Sequence, residues 1–217
     1  MRKNSFYTVY IKRLIDILGS LAVIVLFWWL YIILAILVRI NLGSPVIFSQ
    51  ERPGKIDEKT GEEKIFKLYK FRSMTNKCDE NGDLLPASER LTKFGRLLRA
   101  SSLDELPEMW NILKGDMSFV GPRPLWKNYL EYYNEYERRR HTVKPGLTGL
   151  AQVNGRNQAS WKRRFELDNE YVETVSLFTD IKIFLLTVKK VFVREGVEYK
   201  KNHQSVMEYF ASDERLK

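Results

Sequence analysis

A run of 22 residues without a charged side chain, residues 17–38, constrains this chain more than any other feature. As one continuous α-helix it would be about 33 Å long, which is close to the thickness of a bilayer's hydrocarbon core. No amphipathic stripe is visible in the run, whereas a surface helix of a soluble protein normally carries one. The sequence therefore predicts a membrane-inserted helix within residues 1–40. A buried core helix and a cleaved signal peptide are alternatives that the length of the run disfavours.

The topology of this helix stays open between a single span and a re-entrant helix with both ends on the cytoplasmic side. Basic residues flank both ends of the run, so the positive-inside rule gives no preference. No proline breaks the run, and Trp28-Trp29 lie at its centre instead. Tryptophan prefers the membrane interface, which makes a straight span awkward, but tryptophan is not expected to break a helix.

The charge of the chain limits its partners. Of 217 residues, 36 are Lys or Arg and 27 are Asp or Glu, which gives a net charge of +9. No zinc-finger or RNA-recognition signature accompanies this excess, so we expect no nucleic-acid partner. An anionic membrane surface or a phosphorylated substrate explains the charge better. The single cysteine excludes an intrachain disulfide, and two histidines make a histidine-rich metal centre improbable.

The remaining patterns predict an α+β fold that is mainly helical. Two alternating segments, residues 46–50 and 65–74, predict a β-hairpin whose second strand presents Phe66, Leu68, Lys70 and Arg72 on one face. Amphipathic spacing then predicts interfacial or core-edge helices over residues 89–99, and further helices over 103–113, 125–136, 160–173 and 181–192. We expect a membrane-inserted segment (1–40), a small catalytic domain (41–196) and a polar, loosely ordered C-terminal tail (197–217).

The segment SSLDELPEMWNILKGD, residues 101–116, contains the adjacent acids Asp104 and Glu105. Ser102 and Glu105 match a capping box, which would make the acids helix-terminal residues without a catalytic role. Alternatively, the two carboxylates form a site in which one attacks phosphorus and the other helps to bind a divalent metal ion. Spacing alone leaves both interpretations open.

Several basic residues are candidates for binding phosphate. Gly121-Pro122-Arg123-Pro124 holds an arginine between two prolines, which restrict its backbone, and the guanidinium plane suits a phosphate. Lys70, Arg72 and Arg99 are each ordinary surface charges when considered alone. Together with Arg123 they would neutralise a diphosphate.

A glycine- and amide-rich segment, KPGLTGLAQVNGR at residues 144–156, is either a turn cluster or a surface for a nucleotide or sugar. Asn154 and Arg156 are its candidate contacts, although the segment matches neither a P-loop nor a dinucleotide-binding motif. His141 is a possible general base, but a structural histidine is the favoured interpretation.

Taken together, these motifs resemble the bacterial sugar transferase family, in particular its small monotopic phosphoglycosyl transferases. The resemblance rests on KRLIDI, the apolar helix, GSPVIFSQERPG, FKLYKFRSM, SSLDELPEMWNILKGDMSFVGPRP and KPGLTGLAQVNGR, in that order. It implies transfer of a sugar-1-phosphate from a UDP-sugar to a polyprenyl (undecaprenyl) phosphate, with release of UMP. The family commonly breaks its membrane helix with a Ser-Pro pair, and Trp28-Trp29 take that position here.

The resemblance also implies roles for individual residues. Asp104 would be the nucleophile of a covalent aspartyl-phosphosugar intermediate, and Asp104 and Glu105 would bind Mg²⁺. Lys70, Arg99 and Arg123 match positions that contact phosphate. The family's helix is re-entrant, which would place the catalytic domain on the cytoplasmic face of the bacterial inner membrane, in contact with lipid. A glycosyltransferase that releases UDP and a non-catalytic membrane adaptor are the competing hypotheses.

Overall fold

The computed structural model describes residues 5–154, 159–193 and 205–212, and it confirms a mainly helical α+β fold. A π-helical turn (Tyr7–Ile11) leads into the longer elements, which we number in chain order. The helices are α1 (Lys12–Leu26), α2 (Trp28–Leu42), α3 (Ala87–Arg90), α4 (Lys93–Ala100), α5 (Glu108–Lys114), α6 (Glu135–Arg138), α7 (Leu150–Val153), α8 (Trp161–Thr174), α9 (Leu177–Val193) and α10 (Val206–Ser212). The strands are β1 (Ile47–Ile56), β2 (Glu63–Phe71), β3 (Ser118–Val120) and β4 (Gly146–Thr148), and short 3₁₀ turns cover Leu103–Glu105, Lys127–Tyr132 and Arg139–Thr142.

The apolar N-terminal run is broken into two helices that meet at 65°. The break is at Phe27, whose backbone (φ −111°, ψ 15°) leaves the helical region. The indole Nε1 of Trp29 donates to the carbonyl of Leu26 at 3.1 Å. A side chain thus satisfies a carbonyl at the break, which is one way an apolar helix tolerates an interruption. The break thus lies directly before the tryptophan pair, although tryptophan itself is not expected to break a helix.

Each of these two helices is too short to cross a bilayer alone. No described helix has the length and apolar composition of a span, whereas the bent pair Tyr7–Leu26 and Trp28–Leu42 has both when taken together.

The predicted hairpin is confirmed, with β1 and β2 paired antiparallel. Phe66 and Leu68 of β2 are buried against Met109 and Ile112 of α5. Since side chains alternate along a strand, Lys70 follows them on the same face. The hairpin therefore places Lys70 directly after the buried apolar side chains of Phe66 and Leu68.

Asn111 of α5 fastens this helix to the free edge of β2. Its Oδ1 accepts a hydrogen bond from the backbone N–H of Tyr69 at 3.1 Å, and its Nδ2 donates to the carbonyl of Lys67 at 2.7 Å. The side chain is completely buried. The amide therefore makes hydrogen bonds of the kind that a neighbouring strand would make. These bonds fix the position, or height, of α5 along β2.

Polar residues of α1 bind the apolar helix to the rest of the protein. Arg13 donates from Nη1 and Nη2 to the carbonyls of Ile112 and Leu113, both at 2.7 Å, and so caps the C-terminus of α5. Asp16 is buried, and its Oδ1 accepts from the hydroxyl of Ser118 and the backbone N–H of Phe119, both at 3.0 Å. A cation at a helix C-terminus and a satisfied buried carboxylate both stabilise this packing.

Arg72 corrects a prediction from the sequence. We expected it among the groups that neutralise a diphosphate. Instead it is buried and donates to the carbonyls of Leu42 and Ser44, just beyond α2. Those carbonyls at the end of α2 need a donor, and Arg72 supplies it.

A parallel pair of short strands, β3 and β4, has no counterpart in the sequence prediction. Ser118 pairs with Gly146 and Val120 with Thr148. A Cβ on Gly146 would lie 2.1 Å from the backbone nitrogen of Gly121, so the close approach of the two chains requires glycine there. The pair places the Gly121–Pro124 segment beside residues 144–149.

The predicted helices are confirmed only in part. Helices α8 and α9 match residues 160–173 and 181–192, but residues 89–99 are divided between α3 and α4. Thr92 begins α4 because its Oγ1 accepts from the N–H of Gly95 at 3.1 Å. Residues 125–136 form a 3₁₀ turn and the start of α6. Part of the expected loose tail is the ordered helix α10, whose Val206 and Phe210 are buried against Phe165 of α8.

His141 occupies a structural position, which fits the interpretation favoured from the sequence. It is buried, and its Nδ1 lies 3.1 Å from Oε1 of Glu63, which also accepts from Nε of Arg138 at 2.7 Å. Burial, followed by the charge of Arg140, lowers the pKa of His141 to about 4 despite the Glu63 bond. His141 is therefore neutral at physiological pH and joins β2 to the turn Arg139–Thr142.

Replacing Asn111 with leucine should lower the free energy of unfolding by about 2–4 kcal/mol. The change leaves the N–H of Tyr69 and the carbonyl of Lys67 buried without a partner. Denaturant unfolding of the detergent-solubilised protein, followed by tryptophan fluorescence, measures the loss. Asn41→Leu is the matched control, because the Asn41 amide also donates to a carbonyl (Leu37, 2.8 Å) but is exposed. Equal losses in the two variants would contradict a special role for Asn111.

Replacing His141 with phenylalanine should flatten the dependence of stability on pH. An unfolded histidine has a pKa of about 6.5, so between pH 6.5 and about 4 the unfolded chain binds a proton that the folded chain does not. Folding stability must then fall as pH falls through this interval. Melting temperatures measured at pH 7 and pH 5 should differ less in the variant than in the parent chain. An unchanged difference would show that His141 is not the titrating group.

Candidate active site

A cleft of about 1020 Å³ opens between the hairpin with α4 and α5 on one side and β4 with α7, α8 and α9 on the other. One part of its wall is charged, and another part is aromatic. The charged residues include Lys70, Arg96, Arg99, Glu105, Glu108 and Arg123, and the aromatic residues include Trp126, Tyr129, Trp161 and Phe165. Four of the residues predicted for the site, Lys70, Arg99, Glu105 and Arg123, therefore line one cavity.

Asp104 and Glu105 lie in the 3₁₀ turn Leu103–Glu105, directly before α5. The capping-box interpretation is wrong, because Ser102 adopts a left-handed backbone (φ 57°) and its side chain makes no capping bond. Pro107 stands at the start of α5, where a proline's missing N–H costs no helical hydrogen bond. Because the turn makes no capping bond of this kind, it can direct both acidic side chains into the protein.

Glu105 is held by two cations from different parts of the chain. Its Oε1 accepts from Nζ of Lys70 and from Nη2 of Arg123, both at 2.7 Å. Lys70 also lies 3.0 Å from Oε1 of Glu108, which is buried. Sequence reasoning missed Glu108, although its position four residues after Asp104, one helical turn away, was a usable signal. The ammonium of Lys70 therefore lies between two carboxylates.

Arg99 lines the same cleft but, unlike Lys70 and Arg123, is not bonded to Glu105. Its Nε donates to the hydroxyl of Ser73 at 2.8 Å, and it acts on Asp104 only through its charge. Arg123 has a side chain that is 46% exposed, so its guanidinium reaches the solvent of the cleft as well as Glu105. Both arginines remain candidates for contact with a phosphate.

The carboxyl groups of the site differ in their tendency to ionise. Burial, and then the charge of Glu105, raises the pKa of Asp104 to about 6. Burial also opposes ionisation of Glu105, but Arg123 and Lys70 outweigh it and hold the pKa of Glu105 below its usual range. Burial and the charge of Glu105 raise the pKa of Glu108. One acid with a lowered pKa thus lies between two acids whose pKa values are raised.

The donor set fits a magnesium ion that is shared with a phosphorylated ligand. Within the described residues, no group of three or more acidic, histidine or cysteine side chains would enclose a metal ion by itself. Among the same residues, neither the Asp104 carboxylate nor Oε2 of Glu105 accepts a hydrogen bond. Mg²⁺ commonly takes one or two carboxylates from the protein and its remaining ligands from water and substrate phosphates. Asp104 and Glu105 could supply such a pair.

Main-chain contacts fix the segment that carries Arg123. The carbonyl of Arg123 accepts from Nη2 of Arg140 at 2.7 Å, and the carbonyl of Pro124 accepts from Nη1 of Arg52 at 3.2 Å. The sequence analysis assigned no role to Arg52 or Arg140. The segment is held by side chains in addition to its two prolines.

Of the predicted contacts of the glycine- and amide-rich segment, Asn154 does not line the cleft. Asn154 is exposed, and its Nδ2 donates to the carbonyl of Leu150 at 2.9 Å. Arg156 lies outside the described residues. Thr148, Ala151 and Gln152 of the same segment do line the cleft. Roles for Asn154 and Arg156 stay predictions.

Comparisons with known proteins show the family to which the chain belongs. The family model described as bacterial sugar transferase matches residues 7–194. An uncharacterized sugar transferase, EpsL of Bacillus subtilis, is 48% identical over 202 residues, which cover 93% of this chain and 96% of that protein. The undecaprenyl-phosphate galactose phosphotransferase of Salmonella typhimurium is 37% identical over 86% of this chain. The exopolysaccharide production protein ExoY of Rhizobium meliloti is 36% identical over 85% of this chain and 87% of its own length.

The relatives differ in size. This chain spans about two-fifths of the length of several larger ones, including 41% of the Salmonella protein and 41% of a UDP-glucose:undecaprenyl-phosphate glucose-1-phosphate transferase of Klebsiella pneumoniae. In each of the relatives named here the matched part covers 85% or more of the present sequence. The family model and these relatives confirm the resemblance and the prediction of an enzyme, and the chain belongs to the bacterial sugar transferase family.

Proposed function

We propose that the chain transfers a sugar-1-phosphate from a UDP-sugar to a polyprenyl phosphate and releases UMP, as the initiating step of a lipid-linked surface glycan. Relatives named as glucose-1-phosphate and galactose phosphotransferases acting on undecaprenyl phosphate support this reaction class. The observation that carries the proposal is the acidic pair at the cleft wall, where Glu105 lines the cleft and Asp104 is its buried neighbour. Asp104 is buried and accepts no hydrogen bond from the described residues, while its neighbour Glu105 is fixed by Lys70 and Arg123.

In the first step, a carboxylate oxygen of Asp104 attacks the phosphorus that bears the sugar. The bond from this phosphorus to the bridging oxygen breaks, and UMP leaves with that oxygen. The product on the enzyme is an aspartyl-phosphosugar. A diphosphate repels a carboxylate, so the cations of the cleft wall must offset the charge that develops during attack. Lys70, Arg99 and Arg123 are placed to do so.

In the second step, an oxygen of the polyprenyl phosphate attacks the same phosphorus. The Asp104 carboxylate is displaced, and a polyprenyl diphosphate-sugar forms. Glu105 remains anionic throughout because Lys70 and Arg123 hold its pKa low. It is therefore suited to orient these two cations toward phosphate oxygens, while its second oxygen is available to a metal ion.

Asp104 and Glu105 would hold Mg²⁺, which the resemblance implies as cofactor. When bound, this ion would neutralise part of the diphosphate charge and favour departure of UMP. The protein's own contribution is to keep the nucleophile desolvated and the cations in place.

The aromatic part of the cleft suits the uridine of the donor. Trp126 follows Arg123 by three residues, is half exposed and stacks on Tyr129 with ring centroids 5.8 Å apart. A base can stack on such a face beside a diphosphate bound at Arg123. The volume of about 1020 Å³ exceeds what a nucleotide sugar alone requires.

We propose further that the bent helix pair is re-entrant in the bacterial inner membrane, with the catalytic domain on its cytoplasmic face. Both ends of the pair are bonded to the same catalytic part, by Arg13 to α5 at one end and by Arg72 beyond α2 at the other. The two ends are therefore expected on one side of the membrane. The outward side chains of both helices are apolar and exposed, including Leu18, Leu26, Trp28, Ile32, Ile36 and Ile40. Such a surface requires a lipid or protein partner.

Replacing Asp104 with asparagine should lower UMP release by roughly 10³-fold or more, because the variant lacks the attacking carboxylate. The assay uses the detergent-solubilised full chain with Mg²⁺, undecaprenyl phosphate and a panel of UDP-sugars, and it measures UMP and UDP separately. Asp116→Asn is the matched control, since Asp116 forms an ion pair with Lys64 at 3.4 Å and does not line the cleft. UMP release by a folded Asp104→Asn protein would contradict the assignment of the nucleophile. Release of UDP by the parent chain would indicate an ordinary glycosyltransferase.

Replacing Trp126 with alanine should weaken inhibition by UMP by about 5-fold or more, since stacking on an aromatic side chain contributes about 1–3 kcal/mol per base. The inhibition constant of UMP against the UDP-sugar is the readout. Trp110→Ala serves as the control because Trp110 is similarly exposed but lines a different groove. If both variants bind UMP as the parent chain does, the uridine lies elsewhere.

A further inference from the structure

Arg140 is a buried charge for which the proposed chemistry has no use. Its side chain is 3% exposed, and its Nε and Nη2 lie 2.9 and 2.8 Å from Oδ2 of Asp168, which is equally buried. Nη2 also donates to the carbonyl of Arg123 at 2.7 Å. Burying an arginine and an aspartate costs free energy that their mutual attraction only partly offsets. A simple apolar contact between α8 and the turn Arg139–Thr142 would not require this pair.

Arg140 and Asp168 form part of the cleft wall, but the donors of Arg140 are bonded to protein groups. Asp168 and the Arg123 carbonyl occupy Nε and Nη2, while Nη1 lies 3.5 Å from the hydroxyl of Tyr133. The guanidinium also lies over the ring of Phe165, 5.6 Å from its centroid. Arg140 is therefore held from several sides and presents a fixed donor to the main chain of Arg123.

The residue held in this way is the one whose side chain reaches Glu105. Arg123 combines a fixed carbonyl with a half-exposed guanidinium, 2.7 Å from Oε1 of Glu105. Its neighbours are fixed too, since Tyr171 donates to the carbonyl of Val120 at 3.1 Å. A displacement of about 1 Å in a substrate-binding group is enough to reduce turnover strongly.

We propose that Arg140, neutralised by Asp168, is a positioning residue that aims Arg123 at the phosphates and at Glu105. It acts through the main chain of Arg123 and does not touch the substrate. The proposal rests on the proposed function only in giving Arg123 a role in binding phosphate.

A double-mutant cycle with Arg123 tests this assignment. Arg140→Lys keeps the positive charge but cannot bond Asp168 and the Arg123 carbonyl together with the same planar geometry. In the parent chain it should lower kcat/KM for the UDP-sugar by about 10-fold or more, the loss typical of a hydrogen bond to a charged group. In an Arg123→Ala background the same change should cost less than about 3-fold, because the residue that Arg140 positions is already absent.

Equal losses in the two backgrounds would overturn the proposal, since they would mean that Arg140 contacts the substrate itself or supports the fold generally. The cycle is measured as total nucleotide release, so it does not depend on whether the product is UMP or UDP. Titration calorimetry with UMP on the same four proteins gives a second readout that needs no turnover. Failure of the proposed function would change the product, whereas failure of this proposal would change only the coupling.

A second variant addresses the risk that a lone substitution at Arg140 unfolds the protein by leaving Asp168 buried and unpaired. Arg140→Met combined with Asp168→Leu removes both charges, a change that often leaves stability intact in buried pairs. We expect this protein to melt near the temperature of the parent chain and to show the same loss of about 10-fold or more in kcat/KM. A well-folded double variant with full activity would overturn the proposal.

Discussion

The arrangement of the site depends on one buried amide. Asn111 bonds to the backbone of β2 at two points, on either side of Leu68, and so sets α5 at one height against the hairpin. At that height Lys70 lies within 3.0 Å of carboxylates from Glu105 and Glu108. A shift of α5 by one residue along the strand would move the lysine about 3.3 Å, beyond hydrogen-bonding reach of both. Apolar packing alone tolerates such a shift, whereas a pair of directional bonds does not.

The three acids of the site are not all bonded to a cation within the protein. Three acids occur within five residues, and burial opposes the ionisation of each. Lys70 and one guanidinium nitrogen of Arg123 bond to Glu105 and favour its anionic form, whereas burial and the charge of Glu105 raise the pKa of Asp104. Asp104 receives only long-range help from these cations. A carboxylate in this condition is more reactive toward phosphorus than one that is fully solvated or hydrogen-bonded.

Features with a local signal were predictable from the sequence, as the hairpin and helix α8 show. The alternation of Phe66, Leu68 and Lys70 correctly predicted both the strand and the face on which the lysine lies. The two prolines around Arg123 likewise predicted an arginine with a restrained main chain. Hydrogen bonds to the carbonyls of Arg123 and Pro124 also hold this main chain. In contrast, the role predicted for Arg72 was wrong, and Glu108 was missed. The former has the same alternation as Lys70 but lies just past the strand, where the free carbonyls at the end of α2 take its donors.

Long-range contacts explain the rest, and they also give a structural role to the basic residues that precede the apolar run. Parallel pairing of β3 with β4 joins segments 28 residues apart, from Ser118 to Gly146, which no periodicity reveals. In the same way Lys12 and Arg13, which resemble topological signals, are committed to Asp180 and to the C-terminus of α5. A cation that is already paired contributes little to orienting a helix by attraction to lipid headgroups. Lys12 and Arg13 therefore attach the N-terminal end of the bent pair to the rest of the protein, and Arg72 attaches the other end.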